Sequence, residues 1–334
     1  ALVRVRFPVC ATKRLMCLPS MKFLFIGPTL LAGIGQVTNH YAQLVKSLGH
    51  EAVYIPFGQI VPREKFDVGF AFVLPIEQHM NMVDGMLTGC KKKMYMTVCE
   101  TETVHPTYKL LVDRYKTLWT PSQFCLDVFQ SQFPEGKWKL LRHWAPTPKK
   151  SVTETDVPYT FYTIGNVIDP RKNVRMLIEA FIRLKLPNAR LVLKATCKEH
   201  VPWKLPGLVV INGLLSDEDL EHVHASSHCY VNCSHSEGVG MGAVEAALRG
   251  KPVIITDFGG LQEYVKTPFV VHCTPSVVPN DDFLYQKGMV WGQPSLDELM
   301  KHMKQCYDEH ITEWDHSHTK SLTGSVGSVL CGSW

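Results

Sequence analysis

The stretch SEGVGMGAVEAALRGKPVI, residues 236–254, decides how this chain is read. Its second half is an alanine-rich helix that ends at Gly250, after which Lys251-Pro252 leads into a buried strand. Its first half is less ordinary. Gly238, Gly240 and Gly242 stand between Glu237 and Glu245, after a strand that ends at Cys233 and before a helix that begins near Met241. Glycines let backbone N–H groups approach a ligand, and the start of a helix carries a partial positive charge, so this half suits a phosphate. A carboxylate repels phosphate but accepts hydrogen bonds from hydroxyl groups. Two readings follow. Either the ligand carries both phosphates and hydroxyls, as a nucleotide sugar does, or Glu245 caps the helix and Glu237 is solvated.

Outward from this stretch the pattern is strand, loop, helix, repeated. Residues 22–27 are a short apolar run followed by a loop with Gly33-Ile34-Gly35. Val37, Tyr41, Leu44, Val45 and Leu48 then recur at helical spacing up to Gly49, and 51–56 is a second strand. Residues 67–74, 93–99 and 118–120 read as further strands, and Ser122 as the N-cap of a helix through Phe129. Residues 144–158, with three prolines, read as a linker. Beyond it strands are expected at 159–164, 189–193, 208–211, 230–233 and 252–256. Helices are expected around Leu177–Phe181, after Ser216, and after the Ser295–Glu298 capping box. The fold class is therefore α/β, with two Rossmann-like parallel-sheet domains, 21–150 and 151–316, facing each other across a cleft. Residues 1–20, basic and without acids, read as an extension outside the fold, and 317–334 as a tail without a period.

Composition excludes several classes. The 334 residues are 45% hydrophobic and 20% charged, with a net charge of +4, which suits two globular cores and no nucleic-acid partner. No apolar run is long enough to span a bilayer, and the charge is compatible with peripheral contact with an acidic membrane. The eleven scattered cysteines read as free thiols of a reducing, cytoplasmic compartment. Cys229 and Cys233 lie among His222, His224, His228 and His235, but their spacing fits no standard zinc pattern. Asp217-Glu218-Asp219 is explained by the positive end of its helix rather than by a metal.

The span from Glu237 to Glu245, with Gly250-Lys-Pro-Val253 and Gly259-Gly260 behind it, closely resembles the E-x7-E signature of retaining GT-B glycosyltransferases of the "glycosyl transferases group 1" family, family four. Met241-Gly242 replaces the Leu-Pro common there. LWTPSQFCLDVF (118–129), YTIGNVIDPRKNVRMLIEAF (162–181) and GLLSDEDLEHVHASSHCYVNCS (213–234) resemble further family segments in the same order. The resemblance implies transfer of a sugar from a UDP- or GDP-sugar to a glycan, lipid or protein hydroxyl, with retention and without metal or cofactor, at or near the cytosolic face of a membrane. It implies that Glu245 holds the ribose and Glu237 faces the donor sugar, while amides at Gly238, Val239, Gly240 and Met241 meet sugar and diphosphate. Gly33 and Gly35 would reach the same diphosphate, and Gly213-Leu214 the base. Lys172 matches the phosphate lysine, whereas Asn166 stands where the family has an arginine, with Arg171 as a substitute cation. Glu100 or Glu102 takes the place of a histidine beside the sugar, or both are solvated loop acids.

Two other readings start from the same residues. Gly33-x-Gly35 lacks the third glycine and the ribose acid of a nicotinamide fingerprint. A catalytically silent nucleotide-sugar binder of the same fold is the alternative that Asn166 keeps open.

Overall fold

The computed structural model describes residues 19–148, 157–282 and 285–332. Its first sheet is built from β1 (Lys22–Gly27), β2 (Glu51–Pro56), β3 (Phe66–Phe72), β4 (Cys90–Met96), β5 (Leu118–Thr120) and β6 (Trp138–Leu140). All are parallel, in the order β2-β1-β3-β4-β5-β6. The helices of this half are α1 (Gly33–Ser47), α2 (Glu77–Met86), α3 (Lys109–Arg114) and α4 (Gln123–Gln132). Strand alternation divides β1 between two cores. Phe23 and Phe25 join Val37, Tyr41 and Val45 of α1, while Leu24 and Ile26 join Met80, Val83, Leu111 and Phe129.

The second sheet holds β7 (Tyr159–Gly165), β8 (Ala189–Ala195), β9 (Leu208–Ile211), β10 (Cys229–Val231), β11 (Val253–Thr256) and β12 (Val270–Val271). It too is parallel, in the order β12-β11-β10-β7-β8-β9. Its helices are α5 (Val174–Leu184), α6 (Asp217–Ala225), α7 (Met241–Leu248), α8 (Leu261–Tyr264) and α9 (Leu296–Asp308). In each sheet the winding reverses once, between β1 and β3 and between β7 and β10. The crevice at the carboxyl ends of such strands is where ligands of doubly wound sheets bind.

The two-domain α/β expectation stands. Short elements with weak periods were missed: α2, α3, β6, and the antiparallel hairpin of β13 (Cys273–Val277) and β14 (Val290–Pro294). Residues 1–18 and 149–156 lie outside the described residues, so most of the expected extension and linker does too. The start of that linker is packed: Ala145 is buried in the second half's core and Trp144 rests against that of the first.

The expected tail is corrected. It folds as α10 (Ser317–Gly324) and α11 (Val326–Gly332), and Val326 and Leu330 are buried in the core around α1. Small and polar residues (SLTGSVGSV) hide this period, since a single apolar pair suffices to dock the last helix. Thr319 and Thr323, buried in α10, satisfy their hydroxyls on the carbonyls of Tyr264 and Thr319.

Candidate active site

The reversal between β7 and β10 is filled by two loops. After β7 come Asn166, Asp169, Arg171 and Lys172; after β10 come Asn232, Ser234 and the Glu237–Gly240 turn. Gly240 takes a left-handed φ of 80°, and α7 starts on it with no side-chain cap and no acid in its first turn. Its N-terminal N–H groups are therefore met by no capping side chain and no acid of its own first turn. Asn166, Lys172, Asn232, Ser234, Glu237, Gly240 and Gly242 line one polar pocket at this point. α1 begins in the same way at the carboxyl end of β1, uncapped on Ala32 and without an acid in its first turn.

Glu237 is 3% exposed. Its Oε1 accepts from Lys172 Nζ at 2.6 Å, Ser234 Oγ at 2.7 Å and Asn232 Nδ2 at 3.1 Å, and Oε2 accepts from Arg171 Nη1 at 3.0 Å. Burial opposes its ionisation, but Lys172 and Arg171, with the Ser234 hydroxyl, hold the carboxyl far below the usual carboxylate range. The solvated reading of Glu237 is thereby excluded. The sequence reasoning missed Asn232 and Ser234; two polar residues closing an otherwise apolar strand were the available signal.

Arg171 stands elsewhere than expected for a substitute phosphate cation. It is buried, does not line the pocket, and is enclosed by carboxylates: Nη1 on Glu237, Nε at 3.0 Å from Glu100 Oε2, and Nη2 at 3.4 Å from Asp169. Nη1 also donates to Ser236 O at 2.7 Å. Asp169, the N-cap of the turn Pro170–Lys172, was not anticipated, nor was Tyr285, whose hydroxyl donates to Glu100 Oε2. Glu100 thus belongs to the site. Glu102 does not: its side chain is exposed, and its backbone N–H bonds Val290 O at 3.1 Å.

Most of these glycines are required by packing. A Cβ on Gly238 would overlap Val98 Cγ2 of the first half and come within 3.1 Å of Cys99 O, so Gly238 lets the two halves meet. One on Gly242 would overlap the Tyr230 hydroxyl, which is why neither proline nor any larger residue fits there. Gly259, at φ 98°, lies against the Glu237 backbone, and Gly260 N–H donates to Glu237 O at 2.7 Å. Gly35 is required by the carbonyls of Pro28 and Thr29, whereas Gly33 is open at the start of α1. Val239 turns its side chain into the core of the second half, and Met241 bridges the cores of both halves.

The remaining expected residues are more peripheral. Glu245 is half-buried on α7, does not cap it, and its charge acts on His40 of α1 and on Arg249. Leu214 is exposed, and Gly213 O accepts from the buried Lys194 Nζ at 2.5 Å. Among the described residues, no group of three His, Cys, Asp or Glu side chains could hold a metal, and the nine cysteines are free thiols. His224 and His228 are engaged by the Tyr162 hydroxyl and the Thr160 N–H. No helix among the described residues is long and apolar enough to cross a membrane.

Two parallel-sheet domains meeting at this site have the GT-B architecture, and comparison with solved structures agrees. A glycosyltransferase from Rickettsia africae ESF-5 matches at TM-score 0.59 and 14% identity, covering 94% of each chain. Sucrose-phosphate synthase from Thermosynechococcus elongatus matches at TM-score 0.59 and 13% identity, covering 93% of this chain and 96% of that one. Residues 158–282, which carry the whole Glu237 turn, match the sequence model of the family described as "Glycosyl transferases group 1". O-antigen chain mannosyltransferase B of Escherichia coli is 31% identical over 118 residues, 32% of this chain. The match spans 30% of that relative's length.

Proposed function

We propose that this protein transfers a sugar from a nucleoside-diphosphate donor to a hydroxyl acceptor with retention of anomeric configuration. The observation that carries the reading is the convergence, in one pocket, of the uncapped start of α7, Lys172 and the buried Glu237. Breaking the bond between the anomeric carbon and phosphate leaves positive charge on the sugar and negative charge on the departing diphosphate. Fixed donors aimed at the developing anion lower that barrier. The α7 amides and Lys172 serve it here, so no metal or cofactor is needed.

Lys172 is held by Glu237 until the diphosphate arrives and takes its place as the anionic partner. Glu237 keeps Arg171, Ser234 and Asn232 and presents its carboxylate edge to the sugar hydroxyls. With Lys172 turned to the diphosphate its charge stays paired with the buried Arg171, which makes it a poor nucleophile, and the acceptor hydroxyl enters on the face the diphosphate leaves, giving its proton to that departing anion. Glu245, one turn into α7, takes the ribose, and the Gly213-Leu214 loop borders the base. The acceptor is a glycan, lipid or protein hydroxyl bound from the first half of the chain. With an acceptor carried by a lipid, the protein works at the cytosolic surface of a membrane.

The test is a thermal-shift panel of UDP- and GDP-sugars, including mannosyl donors because of the E. coli relative's name. Donor turnover with and without EDTA follows, and the anomeric configuration of the product is read by NMR. Binding of nucleotide with neither transfer nor slow hydrolysis of any donor would overturn the reading in favour of a silent binder.

A further inference from the structure

The site described above contains a cation it does not need for the diphosphate. Arg171 reaches into neither pocket nor solvent; it spans the two halves of the molecule. On one side is Glu237, whose Oε2 has Arg171 Nη1, at 3.0 Å, as its donor. On the other is Glu100, on the loop that follows β4 of the first half, with its Oε2 at 3.0 Å from Arg171 Nε. The same oxygen accepts from Tyr285, which the hairpin loop between β13 and β14 carries. Two residues on, Glu102 N–H bonds Val290 O at the start of β14 at 3.1 Å. The loop after β4 is therefore fastened to the second half at the arginine and at the hairpin. Its neighbour Val98 rests on Gly238, beside Glu237.

We infer that Glu100 and Arg171 are positioning residues: together they make the orientation of the Glu237 carboxylate depend on the closed arrangement of the two halves. The inference rests on the transfer reading and assigns these residues a role within it. The chemistry is in the geometry of guanidinium. A planar fork lets one arginine donate a hydrogen bond to Glu237 through Nη1 while the delocalised charge on its Nε edge faces Glu100 as an ion pair, which a lysine ammonium at the end of a flexible stem does not reproduce. With Glu100 docked, Arg171 is held at both ends, and Glu237 Oε2 keeps its partner when Lys172 turns to the diphosphate. With the halves apart, Arg171 retains Asp169 as a competing anion at 3.4 Å, and Glu237 loses the restraint that aims it at the sugar. Lys172 and Arg171, adjacent in sequence, thus divide their work: one serves the leaving group, the other the alignment of the carboxylate.

The experiment compares Glu100→Gln, Arg171→Ala, the double variant, Arg171→Lys and Lys172→Ala in the full chain, with donor hydrolysis or transfer as the readout. Loss of alignment predicts that Arg171→Ala lowers kcat by about 10–100-fold and leaves the donor KM within about threefold. Glu100→Gln lowers kcat in the same sense by about 3–10-fold, and the double variant is no worse than Arg171→Ala alone. Arg171→Lys does not restore kcat, whereas Lys172→Ala raises the donor KM. Glu100→Gln keeps side-chain volume on a partly exposed residue, so it reports even where Arg171→Ala fails to fold. The inference is overturned if Arg171→Ala raises KM as Lys172→Ala does while keeping kcat, if the two single effects multiply, or if Glu100→Gln leaves kcat unchanged. A failure of the transfer reading is distinct: the unaltered protein then turns over no donor. In that case the coupling is still decided by melting temperatures, which must be non-additive between Glu100→Gln and Arg171→Ala.

Discussion

Replacing Glu237 by glutamine separates the two things this carboxylate does. The substitution keeps the shape and leaves an amide oxygen for Lys172, Ser234 and Asn232. It places an NH2 group against Arg171 Nη1, where Oε2 accepted at 3.0 Å. One charge-assisted hydrogen bond is lost and two cations lose their counter-charge, one of them buried and the other 24% exposed in its side chain. Breaking a buried pair from one side costs about 3–5 kcal/mol, and the retained hydrogen bonds put this case near the lower figure, a fall in Tm of roughly 6–12 °C. Binding goes the other way. In the unaltered protein a diphosphate must displace the Glu237 carboxylate from Lys172; in the variant the ammonium is held only by a neutral amide oxygen. UDP or GDP without sugar should bind about 5–30-fold more tightly, a gain of about 1–2 kcal/mol, while transfer falls on the order of a hundredfold. Calorimetric titration with the sugar-free nucleotide, beside a melting curve, decides it. A lower Tm with unchanged or weaker nucleotide binding would refute the exchange of partners at Lys172, and an unchanged Tm would refute the ion cluster as a source of stability.

Three further outcomes follow from the packing. Gly238→Ala sets a methyl group against Val98 and Cys99 of the other half; kcat should fall more than Tm, since the halves can part to relieve the overlap at a cost of about 1–3 kcal/mol. His143 is buried with both ring nitrogens unpartnered, and burial first, then His40, pushes its pKa down to about 3. Its unfolded form titrates near 6.5, so the unfolded state binds the extra proton between those values, and stability is full above about pH 6.5 and declines as pH falls. The contribution at pH 5 is a loss of about 2 kcal/mol relative to pH 7, and His143→Phe should lessen the fall in unfolding free energy between those pH values, read in a denaturant titration, by that amount. An equal drop in both proteins would refute it. Leu330→Ala, removing a fully buried side chain of α11 from the core around α1, should lower stability by about 2–4 kcal/mol in a denaturant titration; no change would mean that α11 does not hold.

The legible parts were those where one rule acts alone. Apolar runs of β1, β7 and β8 and the period of α1 and α5 follow from burial on a sheet, and they suffice for two parallel sheets. Glu237 and Lys172 were legible because the signature places them on adjacent loops of one reversal. The direction of Arg171 was not, since arginine beside lysine on a turn says nothing of which acid each will face; Glu100 and Tyr285 lie 71 residues before it and 114 after it by the numbering. Gly238 and Gly35 resemble ligand glycines, and the close approach of backbone or a neighbouring half that also requires them was not legible. α10 and α11 were lost because their apolar content is small and because α11 packs on α1 at the far end of the chain.

That last feature bears on how the molecule is made. The core around α1 contains residues from β1 and from α11, so the half synthesised first cannot be completed until α11 has left the ribosome. At about 5–20 residues per second, the intervening sequence takes on the order of ten to forty seconds to appear. During that interval the groove on α1, with Leu44 and Leu48 beside the place of Gly327, stands open. The first half therefore waits for the second, and a polypeptide released early would display an unfilled apolar groove to any chaperone or protease that surveys nascent chains.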